Sequence, residues 1–252
     1  MQIFWKGQSC FQIISQIAKN SQVYIVTDPF DESVGLRVPK LEADILLISH
    51  SHSDHNNKKA VSSVVAGQIP FIIEGPGEYE IKGIFIQGIH SWHDEDYNPP
   101  TASEVPSRRV AGGSESRSSL RSERAPGGKE RGENTIYTIE AEDLKLCHLG
   151  DFGQKELLDE QLEKIGGVDI LMIPVGGIYT IDSKIASKII SQIEPKIVIP
   201  MHYQIPRLRV KLEGLDKFLK ALGTKSIEPQ NKLSIKKKDL PQEGVKIVVL
   251  KS

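Results

Sequence analysis

One short stretch combines imidazoles and a carboxylate at the spacing of a metal-binding loop. The letters HSHSDH follow an apolar run that ends at Ile48, and such a short run predicts a buried strand. His50 and His52 are two residues apart and would point the same way from extended backbone, with Asp54 and His55 one turn later. These ligand types suit zinc, and also manganese or iron. A polar loop with chance histidines is a weaker interpretation of so specific a pattern.

The same stretch resembles the signature of the metallo-β-lactamase superfamily. Four other segments resemble the remaining motifs of that family, in the right order. They are an acidic residue that ends an early strand, a lone histidine, a Gly-Asp pair and a late histidine after a strand: Asp28, His93, Gly150-Asp151 and His202. Within the superfamily, the chain resembles the ascorbate-6-phosphate lactonase-like metal-dependent hydrolases. The resemblance covers nearly the whole chain except residues 95–128.

The resemblance implies a site for two divalent metal ions, zinc in the first place and manganese as an alternative. Its ligand set is His50, His52 and His93 for one ion, Asp54, His55 and His202 for the other, and Asp151 as the bridge between them. It also implies that Asp28 holds a ligand imidazole in the right tautomer. His148 matches no ligand motif, so we expect it to support the site or to pack behind it, and we expect His90 at the surface. Gln8 stands at or near a position where the family usually has a histidine.

The implied chemistry is hydrolysis by a hydroxide that bridges the two metals. Paired cations stabilise hydroxide near neutral pH, and it can attack a carbonyl carbon or a phosphorus. Asp54 and Asp151 are the catalytic candidates: Asp54 would orient the hydroxide, and Asp151 would hold both ions. The sequence contains no G-x-S-x-G nucleophile elbow. An oxygen-reducing iron relative would typically have a glutamate at the position of His52.

The leading interpretation is a dinuclear metal-dependent hydrolase that acts on a small ester or lactone, phosphorylated or not. The first alternative is a phosphodiesterase or ribonuclease of the same superfamily, which salt-dependent RNA binding would favour. The second alternative is a non-catalytic, metal-stabilised binding module, which the full ligand set disfavours. The expected partner is a small-molecule substrate; RNA and self-association stay open.

Aromatic and polar residues near the motifs are the candidates for substrate binding. They are Tyr179, Tyr203, Trp92, Asn134 and Arg131. Tyr179 follows the strand that ends at Pro174 and should lie at the same rim as His202. Arg207 and Arg209 could meet a phosphate, although solvated surface is the more frequent environment of such residues.

Composition disfavours a nucleic-acid-binding, disulfide-rich, secreted or membrane protein. The 252 residues have a formal net charge of −1, so no overall basic field predicts nucleic-acid binding. The two cysteines, Cys10 and Cys147, are too few for a disulfide framework and are expected as small buried residues. No secretory signal or membrane-length apolar run is present, so we expect a cytoplasmic protein with no membrane partner.

The pattern of elements predicts an α/β (α+β) fold with four layers, in which two stacked β-sheets lie between helices as an αββα sandwich. A single domain, residues 1–252, would contain them, with the site at the strand ends where the sheets meet. Helices are predicted at 57–66, 154–165, 182–193 and 213–222. Strands are predicted at 2–5, 9–14, 23–28, 70–74, 78–82, 84–90, 135–140, 144–149, 169–174, 196–201, 232–236 and 245–250.

Residues 95–128 differ from the rest of the chain in composition. They include seven serines, five arginines and five acidic residues, but only three valines or leucines. Such a segment buries too little apolar surface to offset its ordering entropy, so we expect a flexible insertion. It starts two residues after His93, so it could act as a lid or a binding arm at the site, or be neutral.

Shortening this segment should change substrate access and leave metal binding intact. With residues 97–127 replaced by a short Gly/Ser linker, metal content and thermal stability should be nearly unchanged. KM or substrate range should shift, most for anionic substrates at low salt. Metal analysis, thermal unfolding and steady-state kinetics check this; loss of metal or failure to fold would mean that the segment is structural.

Overall fold

Two β-sheets packed face to face form the centre of the molecule. The structure is a computed structural model, and it describes residues 1–19, 21–93 and 132–252. The expected insertion at 95–128 and the candidate Arg131 lie outside the described residues. The strands are β1 (Gln2–Gly7), β2 (Cys10–Ala18), β3 (Ser21–Thr27), β4 (Leu41–Ala43), β5 (Ile45–Ile48), β6 (Val61–Ser63), β7 (Phe71–Glu74), β8 (Gly77–Ile81), β9 (Ile84–Trp92), β10 (Glu133–Ala141), β11 (Leu144–His148), β12 (Ile170–Pro174), β13 (Ile197–Met201), β14 (Leu233–Ser234) and β15 (Lys246–Ile247). The helices are α1 (Asp159–Ile165), α2 (Ser183–Ile193) and α3 (Leu215–Ala221).

Each sheet combines an antiparallel part with a parallel part. The first sheet has the order β14-β1-β2-β3-β5-β7, and β3, β5 and β7 are parallel. The second has the order β15-β13-β12-β11-β10-β9-β8, and β11, β12, β13 and β15 are parallel. Parallel neighbours end at the same edge of a sheet, so the segments that follow β11, β12 and β13 meet there.

The residues of the first sheet alternate between two apolar clusters. Ile45 and Leu47 of β5 join the large core that the two sheets share with the helices. Leu46 and Ile48 face the other way, into a smaller cluster that includes Val34. This alternation is the period of two expected of a strand covered on both faces. The predicted sandwich of two stacked sheets is confirmed.

The predicted helix at 57–66 is wrong. A 3-10 turn at Lys58–Ala60 leads into β6, which pairs in parallel with β4. The segment contains Val61, Val64 and Val65 separated by serines, and both residue types are poor helix formers. The outer face of the first sheet is therefore covered by the small β4-β6 sheet and neighbouring turns.

The other predicted helices are present but differ at their ends. Asp182 caps α2 as expected, because its Oδ1 accepts hydrogen bonds from the backbone N–H groups of Lys184 and Ile185, each at 2.9 Å. Predicted helix 154–165 begins only at Asp159, and predicted helix 213–222 covers Leu215–Ala221. Predicted strands 232–236 and 245–250 each contain only two strand residues.

Both cysteines are free and fully buried. Burial raises the pKa of the Cys147 thiol to about 12. The expectation of small buried residues is confirmed.

Tyr137 ties the two sheets together directly below the histidine loop. The residue lies on β10, and its hydroxyl donates to the Ile48 carbonyl at 2.8 Å and accepts from the Gly75 N–H at 3.0 Å. Tyr137→Phe would leave the buried Ile48 carbonyl and the half-buried Gly75 N–H without this partner, which should cost about 2 kcal/mol of unfolding free energy. Urea unfolding measures the loss. Tyr24→Phe is the control, since among the described residues the Tyr24 hydroxyl bonds only to the exposed Gln22 side chain. An equal loss in both variants would show that the Tyr137 hydroxyl does not link the sheets.

Candidate metal centre

The histidine loop leaves β5 at Ile48 and turns back on itself within seven residues. The backbone N–H of His55 donates to the carbonyl of His52 at 3.0 Å, which closes the turn. His50 Nε2 and His52 Nδ1 lie 3.1 Å apart, and the ring centroids of His50 and His55 lie 4.2 Å apart. The loop therefore brings its imidazoles together on a base that the buried strand holds fixed.

Two groups of side chains have the chemistry and spacing of metal ligands. Within each group, the ligand atoms lie within 4.8 Å of one another. The first group is His50, His52 and His93, and the second is Asp54, His55, Asp151 and His202. His93 follows β9, Asp151 follows β11 and His202 follows β13, so three strands of the second sheet meet the loop of the first.

One carboxylate oxygen lies at the centre of both groups. Oδ2 of Asp151 is 3.1 Å from His55 Nε2 and 3.5 Å from His202 Nε2, both in its own group. The same oxygen is 3.3 Å from His93 Nε2 and 4.0 Å from His50 Nε2, in the other group. This carboxylate can therefore serve both groups at once.

The buried nitrogens fit a metal ion. Neither ring nitrogen of His202, nor Nε2 of His55, has a hydrogen bond of good geometry to any described residue. Burying such polar atoms without a partner is costly, and a divalent cation among them would satisfy the free lone pairs. Five imidazoles and two carboxylates also form the nitrogen and oxygen donor set that suits zinc or manganese.

Charge is distributed unevenly across the candidate ligands. Burial and, after it, the nearby His55 lower the pKa of His50 to about 3, so His50 is neutral. Burial alone would lower the pKa of His55, but the carboxylates of Asp151 and Asp54 outweigh it and raise the pKa well above its usual value. Burial would raise the pKa of Asp151, but His202 and His55 hold it well below the usual range. Asp151 is therefore an anion that is ready to bind cations.

Asp28 and Ser49 form a hydrogen-bonded support behind both groups. Oδ1 of Asp28 accepts from the Ser49 N–H at 2.7 Å, and Oδ2 accepts from the Ser49 hydroxyl at 2.7 Å. Oδ2 also lies 3.2 Å from His55 Nδ1, and the Ser49 oxygen lies 3.0 Å from His50 Nδ1. A carboxylate only accepts, so the Ser49 hydroxyl donates to Asp28 and accepts from His50, while His55 donates to Asp28 directly. In their neutral form, both imidazoles would therefore carry their proton on Nδ1 and offer Nε2 to a metal. Ser49, which the sequence did not single out, thus extends the role expected of Asp28 to a second ligand.

Known proteins are similar to this chain over most of its length. The beta-lactamase superfamily domain matches residues 2–202 of the chain. The chain belongs to the metallo-β-lactamase superfamily. A UPF0173 metal-dependent hydrolase of Thermoplasma acidophilum is 28% identical, covering 91% of this chain and 96% of that protein. One from Thermoplasma volcanium is 30% identical over 81% of this chain and 83% of its own length.

A solved structure agrees over nearly the whole length. It is a Thermotoga maritima protein described as a candidate zinc-dependent hydrolase of the metallo-β-lactamase superfamily. The TM-score is 0.68 at 31% identity, covering 99% of this chain and 97% of that one. Superfamily membership and these relatives support a metal-dependent hydrolase, as the histidine motif predicted. No described helix is both long and apolar enough to cross a membrane.

His148 ends β11 and hydrogen-bonds to the first sheet. Its Nδ1 accepts from the Gly150 N–H at 3.2 Å, so Nε2 carries the proton and lies 2.9 Å from the Ser9 carbonyl. Burial lowers the pKa of His148, which keeps it neutral. The Ser9 hydroxyl in turn donates to Asp151 Oδ1 at 3.3 Å. His148 is therefore hydrogen-bonded to the segment that carries Asp151 and to Ser9 of the first sheet.

Asn134 supports Asp151 and is not available to a substrate, because hydrogen bonds within the protein occupy its amide nitrogen and oxygen. The side chain is 1% exposed. Its Nδ2 donates to the Ser91 hydroxyl at 2.7 Å and to the Leu149 carbonyl at 2.9 Å, while Oδ1 accepts from the Asp151 N–H at 3.0 Å. All these partners are distant in sequence, so no local pattern indicated this role.

Two further aromatic candidates pack against neighbouring rings. The Tyr203 ring is buried and lies 5.0 Å from the ring of Trp5, and burial raises the pKa of its hydroxyl. The Trp92 ring lies 4.4 Å from that of His90, whose side chain is exposed as expected. Side chains alternate along a strand, so His90 and Trp92 lie on one side of β9, and the next residue, His93, is expected on the other side.

Tyr179 is the one aromatic candidate among the described residues that faces solvent. It is 53% exposed, and the neighbouring Ile178 is 65% exposed. Their loop follows β12, and the Ile181 N–H at its end donates to the Phe152 carbonyl at 3.2 Å, directly beside Asp151. Tyr179 therefore lies on a rim loop. Arg207 and Arg209 are exposed, as solvated surface residues are.

Proposed function

We propose that this protein is a dinuclear metal-dependent hydrolase whose substrate is a small ester or lactone, with or without a phosphate group. The observation that carries the proposal is the position of Asp151 Oδ2, within 4.0 Å of imidazoles from both ligand groups. A single metal site would need only one of the groups. A shared carboxylate between two groups is the arrangement of a bridged pair.

The ligands would divide as their groups do. His50, His52 and His93 would hold one ion, while Asp54, His55 and His202 hold the other, and Asp151 would contact both. When bound, two divalent cations supply a hydroxide nucleophile near neutral pH and polarise the substrate oxygen. Zinc is the first expectation and manganese the alternative, because both accept this donor set.

Asp54 is the carboxylate placed to handle a proton. Its side chain is 24% exposed, whereas that of Asp151 is 3% exposed. Burial would raise the pKa of Asp54, but His55 holds it well below the usual range, so it stays ionised. An ionised carboxylate at the solvent side can accept a hydrogen bond from the attacking water and so orient it.

The open side of the site and its rim suggest the kind of substrate. His52 is exposed and Asp54 is half-buried, whereas His55 and His202 are buried, so a substrate would approach from the side of His52. The exposed apolar pair of Ile178 and Tyr179 on the rim loop suits the apolar part of a small ester.

A panel of lactones, carboxylic esters and phosphodiesters tests the substrate class. The metal-loaded protein should hydrolyse lactones or esters at least about tenfold faster than phosphodiesters, as followed by product release. The reverse preference, together with RNA binding that weakens as salt rises, would favour the ribonuclease alternative. A protein loaded with metal but inert on the entire panel would favour the binding module.

A further inference from the structure

The buried amide of Gln8 has no hydrogen-bond partner within the described part of the chain. The residue is 1% exposed, and neither Oε1 nor Nε2 forms a hydrogen bond with any described residue. Two unsatisfied polar atoms in the interior are costly for stability. Native proteins rarely keep such groups unless a water, an ion or a ligand completes them.

The backbone of Gln8 is bound to the metal centre. Its carbonyl accepts from the His202 N–H at 3.2 Å and from the Trp5 indole at 2.8 Å. The next residue, Ser9, donates its hydroxyl to Asp151 Oδ1 at 3.3 Å. Gln8 is thus joined to the ligand His202 directly and to the bridging carboxylate through its neighbour.

Two residues with a left-handed backbone conformation meet at the same place. Gln8 has a φ of 49° and His202 has a φ of 50°, both in the left-handed region that side chains other than glycine seldom adopt. The two strained residues are held to each other by the backbone hydrogen bond. Strain of this kind persists where the surroundings enforce it, and it is found most often at functional sites.

We propose that the Gln8 side chain is a substrate-binding group of the metal centre, whose amide N–H donates to an oxygen of the bound ester or lactone. This inference rests on the proposed function. A neutral amide can stabilise the charge that develops on a carbonyl oxygen during attack without adding a charge of its own. Its Oε1 can accept from the alcohol that leaves. No described residue takes either role, so both amide atoms of Gln8 are left for the substrate.

Gln8→Met tests the proposal because methionine matches glutamine in size but has no amide. The variant keeps the backbone carbonyl that holds Trp5 and His202. If the amide is unsatisfied in the free protein, removing it should raise Tm, by about 2–4 °C for a chain of this size. Metal content should stay the same. Hydrolysis of dihydrocoumarin, a small lactone, should fall about 100-fold in kcat/KM, mostly through kcat.

Gln161→Met is the matched control, a second buried glutamine whose amide is fully engaged. Its Nε2 donates to the His90 carbonyl at 2.9 Å, and its Oε1 accepts from the Leu158 N–H at 3.0 Å. This variant should lose stability. A fall in Tm for Gln8→Met similar to that of Gln161→Met would overturn the proposal, because the amide would then be part of the fold.

Turnover separates the remaining outcomes. A stabilised Gln8→Met variant with unchanged kcat/KM would also overturn the proposal. If the wild-type protein binds its metals but leaves esters and lactones intact, the proposed function fails. A rise in Tm for Gln8→Met in that same protein would still support an amide kept free for a ligand, so the two failures are distinguishable.

Discussion

Asp151→Ala is expected to abolish hydrolysis more completely than His93→Ala. Asp151 Oδ2 lies among imidazoles of both ligand groups, whereas His93 belongs to one. Loss of the shared carboxylate should disturb both metal charges, so we expect a fall in kcat/KM of about 10⁴-fold or more. His93→Ala removes one of three ligands from one group, and we expect about 10²-fold.

The comparison is meaningful only at equal metal content. Both variants should therefore be assayed after reconstitution with saturating zinc, with bound metal measured in the same samples. His90→Ala is a useful control, because His90 lies on β9, three residues before His93, and its side chain is exposed. Equal residual rates for Asp151→Ala and His93→Ala would count against the bridging role.

Asp28→Asn should weaken both metal sites although Asp28 itself is not a ligand. With one acceptor oxygen left to bind the Ser49 N–H, the new amide N–H₂ would face the Ser49 hydroxyl and His55 Nδ1. His55 would then have to accept on Nδ1 and carry its proton on Nε2. The Ser49 hydroxyl would reverse and impose the same change on His50. Imidazoles protonated on Nε2 lose the lone pair that the geometry offers to the metals.

Competition with a chelator measures this effect directly. We expect metal affinity to fall about 10–100-fold for each ion, the usual consequence of losing a group that orients a ligand. Asp31→Asn is the matched control. Asp31 lies three residues after Asp28, and among the described residues its carboxylate accepts hydrogen bonds only from Ser33. Unchanged affinity in Asp28→Asn, with the fold intact, would show that Asp28 does not set the tautomers.

The parts of the fold that rest on local patterns were predictable from the sequence. The apolar run that forms β5 and the capped helix α2 have signals in neighbouring residues. The predicted helix at 57–66 is wrong because Asn56 or Asn57 before it and Gly67 after it resemble helix caps. The valines and serines between them favour extended backbone, and Val61–Ser63 pairs with β4.

In the candidate site, too, the residues with a local sequence pattern were predictable and the others were not. The ligand motif is compact in sequence around His50 to His55, and the resemblance supplied the distant members. The supports were harder to foresee, since Asn134 reaches Asp151 and His148 reaches Ser9 only after the sheets have packed. The residues next to Gln8 in sequence do not predict its role, because a buried amide without a partner is visible only in the structure.

Metal stoichiometry tests the central claim most directly. The protein should be stripped with a chelator, reconstituted with zinc and analysed for bound metal and protein in the same sample, with crystals used to locate the ions by anomalous scattering. The two ligand groups predict about two ions per chain, on either side of Asp151. Saturation near one ion per chain, with a single anomalous peak, would contradict the dinuclear site.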